Sequence, residues 1–100
     1  MKATEIYNSA IEKYYAANSS SDKKHALKEF ENAAKMGFDL AMLRAGEMYF
    51  FGDGVEPSKE NGIYWISKAC KVAEHYNDLY IQDLRTGAFL YAKVFLSEFG

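Results

Sequence analysis

The chain has a single cysteine, Cys70, so it can form no internal disulfide. It also lacks a concentration of positive charge. Lys and Arg number 12 against 14 Asp and Glu, the formal net charge is −2, and no cationic cluster exceeds the pair Lys23-Lys24. Gripping a phosphate backbone takes several convergent cations, so nucleic acid is not an expected partner. No apolar run approaches the ~20 residues that span a bilayer, and Met1-Lys2-Ala3-Thr4-Glu5 lacks the apolar core of a leader. No membrane partner is expected, and a reducing cytoplasm is the expected location.

Catalytic groupings are missing as well. His25 and His75 stand apart, and neither has a Cys, Asp or Glu at metal-ligand or triad spacing on the same helix face. Gly52-Asp53-Gly54 resembles a phosphate loop only in its glycines, because the Lys-Ser/Thr ending is absent and a helix precedes it. No acidic residues follow Asp53 at the alternate positions a calcium loop needs. The expectation is a non-enzymatic protein with no cofactor and no metal.

What the chain does have is helical periodicity. Its 100 residues make one domain, 49% apolar and 16% aromatic, with eight tyrosines. A tyrosine packs its ring while keeping its hydroxyl wet, which suits both packed helices and binding faces. Ile6, Tyr7, Ala10, Ile11, Tyr14 and Tyr15 recur at three- and four-residue steps and predict a helix over about 3–17. Asn18-Ser19-Ser20-Ser21-Asp22 is a turn and cap cluster. A second helix follows over 22–36, with Ala26, Leu27, Phe30, Ala33 and Ala34 on its apolar side and Gly37 as its stop. Further helices are predicted over about 40–51, 58–75 and 78–98.

The central stretch, residues 41–70, is the most informative. Ala41, Ala45, Met48, Tyr49 and Gly52 form one helical stripe, Gly52-Asp53-Gly54 breaks the helix, and Pro57-Ser58 opens the next. Ile63, Trp65, Ile66, Ala69 and Cys70 face back. Ala41, Gly46, Tyr49, Gly52, Gly54, Val55, Trp65, Lys68 and Ala69 fall at the offsets of one helical-repeat pattern, and the stretch resembles the Sel-1-like repeats, relatives of the tetratricopeptide repeats. Departures are Ala45 for Leu, Ser58 for Asp, Asn61-Gly62 for Lys-Ala, Ile66 for Tyr and Cys70 for Ala. Gly62 is the costliest, at about 0.5–1 kcal/mol in a helix interior unless a neighbouring backbone packs against it.

Ala33-Ala34 aligns with Ala69-Cys70 at an offset of 36, the difference between 69 and 33. Phe30 then falls on Ile66 and Leu27 on Ile63, at the period of helical-hairpin repeats. The expected fold is therefore all-α: α-helical hairpin repeats in a right-handed Sel-1-like or tetratricopeptide-like solenoid of about five helices. Residues 3–37 form a divergent first repeat, 41–75 a clear repeat and 78–98 a C-terminal capping helix. That last helix is apolar on several sides, which makes it a candidate surface for a homodimer.

The resemblance implies an adaptor or scaffold that binds another protein, with the first helix of each repeat lining a concave surface. The candidate groove residues are Leu43, Phe50, Tyr14 and Phe89, with Arg44, Glu47 and Arg85 as polar contacts. The competing reading for each is ordinary packing between neighbouring helices. Two other roles are consistent with the residues: a small immunity or inhibitor protein that occupies a toxin or enzyme, and a structural protein that self-assembles through the last helix.

Overall fold

A computed structural model describes residues 2–74. They form four helices: α1 (Ala3–Ala16), α2 (Ser20–Lys35), α3 (Asp39–Phe51) and α4 (Lys59–Glu74). There is no strand among the described residues. The protein is all-α, as expected. The helix expected over 78–98 lies outside the described residues.

Local chemistry sets the helix ends. The Ser19 hydroxyl accepts the Asp22 N–H at 3.1 Å, and the Asp22 carboxylate accepts the Asn18 N–H at 3.2 Å. The first bond satisfies a donor that a helix start would otherwise leave open, and the second ties the residue before the cap to the first turn. It also explains why α2 begins two residues earlier than the predicted start at Asp22: Ser19 is the cap, and Asp22 sits inside the first turn. At the other end, the N–H groups of Gly37 and Phe38 return to the carbonyls of Ala34 and Ala33 at 2.9 and 3.3 Å.

The turn between α3 and α4 is tighter. Gly52 takes a left-handed φ of 74°, and its N–H closes on the Met48 carbonyl. Any Cβ there would lie 2.5 Å from Pro57 Cγ, so glycine is required by both conformation and space. The Ser58 N–H donates to the Tyr49 carbonyl at 2.7 Å, tying the returning chain to α3. Ser58 then caps α4, its hydroxyl accepting the Asn61 N–H at 3.2 Å.

Each helix packs on its neighbour in the chain: α1 on α2, α2 on α3, α3 on α4. The result is two helical hairpins sharing one core, whose largest fully buried side chains are Phe30, Leu27 and Ile66. Burying a side chain of this size stabilises by about 1.5–3 kcal/mol. Small residues set the spacing. A Cβ on Gly46 would meet Ile66 Cγ1 at 2.6 Å and the Gly62 carbonyl at 2.9 Å. A Cβ on Gly62 would meet Phe50 Cβ at 2.7 Å and the Gly46 carbonyl at 3.0 Å. Gly62 therefore lets the α3 and α4 backbones touch, and this contact offsets its helix-propensity cost.

Polar ties cross between helices. Ser9 and Lys13 of α1 both donate to the Glu29 carboxylate, at 2.9 and 2.5 Å. The Tyr49 hydroxyl of α3 donates to Glu31 of α2 at 3.0 Å. Spacing alone presents Glu29 and Glu31 as ordinary surface charges; each in fact stitches α2 to a neighbour.

Candidate partner-binding cleft

A cleft of about 190 Å³ opens between α1 and α3, over α2. It is lined by Tyr14, Phe30, Arg44, Glu47, Met48, Phe51 and Asp53. Four of these come from α3 at positions i, i+3, i+4 and i+7, the spacing that puts side chains on one helix face. Phe30 and Met48, 1% and 4% exposed, make an apolar floor. Phe51 stands 62% exposed at the rim, and Tyr15, 67% exposed, sets its ring edge-on against Tyr14 with centroids 5.2 Å apart.

One end of the cleft is a closed polar cluster. The Tyr14 hydroxyl donates to Asp53 Oδ2 at 2.5 Å, and Lys23 Nζ lies 3.0 Å from Oδ1 and 5.1 Å from the Tyr14 ring centroid. The glycine turn delivers Asp53 to this place. A Cβ on Gly54 would sit 2.8 Å from Lys23 Cβ, so only glycine lets the turn rest on α2. Burial pushes the Asp53 carboxyl up, but the hydrogen bonds from Tyr14 and Lys23 outweigh it and hold the group below its ordinary range. In return, the hydrogen bond to Asp53, aided by burial, pushes Tyr14 up to about 12.

The other end carries Arg44 and Glu47, one helical turn apart. They form no ion pair with each other or with another described residue. Burial works against the Arg44 charge, but hydrogen bonding to Tyr7 and the nearby Glu47 outweigh it and raise its pKa. Glu47 is less well served. Burial raises its pKa, and the attraction of Arg44 only partly opposes that.

Three of the residues expected in a groove thus meet in this cleft: Tyr14, Arg44 and Glu47. Leu43 does not. It is 9% exposed and belongs to the core, because α3 is packed by α2 on one side and α4 on the other, leaving only a narrow strip open. Phe50 is half-buried and its Cβ lies in the close α3–α4 contact at Gly62. Arg85 and Phe89 lie outside the described residues. The residues missed by spacing are Phe30, Met48, Phe51 and Asp53. Phe51 was within reach, since it follows Glu47 by four positions and Arg44 by seven. Asp53 was not, because its place depends on how the turn folds back over α2.

Among the described residues, no group of three His, Cys, Asp or Glu could hold a metal ion, and no helix is long and apolar enough to cross a membrane. No protein-family model matches the chain, and no curated protein and no solved structure shows significant similarity to it.

Proposed function

We propose that this chain is a non-catalytic interaction module of the Sel-1-like helical-repeat kind, an adaptor that binds a segment of another protein in the cleft between α1 and α3. The observation that carries this is the meeting of Tyr14, Arg44, Glu47 and Phe51 around an open cleft with an apolar floor. An open site with a dry base, a few convergent charges and exposed aromatic rings is what a partner side chain needs to be anchored. The repeat reading draws support from equivalent positions 36 residues apart. Phe30 and Ile66 are 1% and 0% exposed, and Ala33 and Ala69 are 0% and 6% exposed, on the second helix of each hairpin. The position of the cleft also suits the reading, since the first helix of each hairpin supplies its walls.

The test is affinity capture with the tagged full chain, followed by mass spectrometry, with Phe51→Ala run alongside. Phe51 is well exposed, so its truncation should leave the helices intact by circular dichroism. A protein held by wild type and lost by Phe51→Ala supports the cleft. A partner held equally by both removes the cleft from the interface.

A further inference from the structure

The chemistry of the cleft points to the kind of side chain it takes, and this step rests on the binding role proposed above. Glu47 is half-buried, without an ion-pair partner among the described residues, and burial disfavours its charge more than Arg44 restores it. Arg44 is in the opposite position, its charge already favoured by Tyr7 and Glu47. Asp53 is occupied by Tyr14 and Lys23. Among the described residues, Glu47 is thus the cleft carboxylate that no cation pairs, while Arg44, likewise without an ion pair, has its charge supported by Tyr7. Beside Glu47 lies an apolar floor of Phe30 and Met48, and the exposed ring of Phe51 forms the rim. Such a site matches a side chain with an apolar stem and a cationic head. The volume, about 190 Å³, suits one long side chain.

We propose that the cleft receives an arginine of the partner segment, with its stem over Phe30 and Met48 and its guanidinium on the Glu47 carboxylate beside the Phe51 ring. Arginine fits better than lysine for two reasons. Its planar fork can hold both carboxylate oxygens at once, and its weakly hydrated face stacks on aromatic rings. Arg44 repels the incoming charge, so binding depends on close pairing with Glu47 and cannot come from the general field of the cleft.

The test uses fluorescence polarisation with the full chain and three capped peptides. They share a leucine-alanine background and carry at the centre arginine, its neutral isostere citrulline, or glutamate. The arginine peptide should bind about tenfold tighter than the citrulline peptide, the margin expected of a charge-assisted pair. Glu47→Gln should erase that margin, and Phe51→Ala should weaken both peptides. Equal binding of arginine and citrulline peptides by wild type overturns the proposal, as does a margin that survives Glu47→Gln. Tightest binding of the glutamate peptide, lost in Arg44→Gln, overturns it in favour of an anionic partner. Binding of none of the three also overturns it. The wider reading fails separately, only when a captured partner is indifferent to Phe51→Ala.

Discussion

Replacing Gly62 with alanine tests whether α3 and α4 are held backbone to backbone. Alanine is the better helix former by about 0.5–1 kcal/mol, so propensity alone predicts a more stable protein. The structure predicts the opposite. The new Cβ would stand 2.7 Å from Phe50 Cβ, 3.0 Å from Phe50 Cα and 3.0 Å from the Gly46 carbonyl oxygen. Carbon atoms pack best at about 3.5–4.0 Å, and two of these three neighbours are backbone atoms that cannot rotate away. Helix α4 must therefore back off by about 0.5–1.3 Å, the difference between those spacings. That retreat loosens Ile66, which fills the space beside Gly46. Overpacking of this kind costs about 1–3 kcal/mol. Set against the propensity gain, the net effect runs from about zero to a loss of about 2.5 kcal/mol.

Urea unfolding followed by far-UV circular dichroism measures this directly. In a domain of this size each kcal/mol moves Tm by about 4–8 °C, so thermal melts give a second readout. Asn61→Ala, at the exposed neighbouring position, is the control and should be neutral or slightly stabilising. Gly46→Ala should also destabilise, and the double variant should lose less than the two losses added, because one retreat of α4 relieves both clashes. A Gly62→Ala protein more stable than wild type by the full propensity gain would refute the close contact.

Three further outcomes follow from the caps and charges. Ser19→Ala removes the acceptor for the Asp22 N–H and should cost about 1 kcal/mol in chemical denaturation, with a fall in helicity confined to α2. Asp53 has a folded pKa below its unfolded value, so its contribution is present above about pH 4 and is lost as pH falls through the folded value. Asp53→Asn should accordingly melt earlier than wild type at neutral pH, and the two curves should converge in acid. Glu47 has the reverse sign: its folded pKa is raised, so its ionisation destabilises the fold as pH rises past the ordinary carboxylate range. Glu47→Gln should therefore melt at or above the wild-type temperature at neutral pH and lose that advantage in acid. A lower melting temperature at neutral pH would show that Glu47 already has a stabilising partner.

Much of the architecture was legible because helices advertise themselves by period and punctuation. The apolar steps of α1 and α2 and the Gly52-Asp53-Gly54 break all have local causes, and the expected bounds of the first three helices and the start of the fourth fall within two residues of the structure. The α2 start was misplaced because the run from Ser19 to Asp22 offers several cap candidates, and only the bonds from the Asp22 N–H to Ser19 and from the Asn18 N–H to Asp22 select one. Gly62 was recognised as a departure, but its purpose depends on what stands opposite it. The backbone opposite it is that of Gly46 and Phe50 on another helix, a fact that no reading of α4 alone contains.

The cleft divides in the same way. A stripe argument assumes that a helix has one buried face and one open face. Helix α3 has two packing partners, so Leu43, opposite the Ala41–Ala45–Tyr49 stripe, is buried as well. Arg44 and Glu47 survive as site residues because a guanidinium and a carboxylate are costly to bury unpaired, which forces them toward whatever strip stays open. That strip then fixes the orientation of α3 and selects its neighbours at the same spacing, Met48 and Phe51. Asp53 enters by a different route. The glycine turn lays it on α2, where Tyr14 and Lys23 hold it. Its ionic partnership leaves Glu47 as the cleft carboxylate still without a counterion among the described residues, so a structural tie at one end of the cleft leaves the other end to recognition.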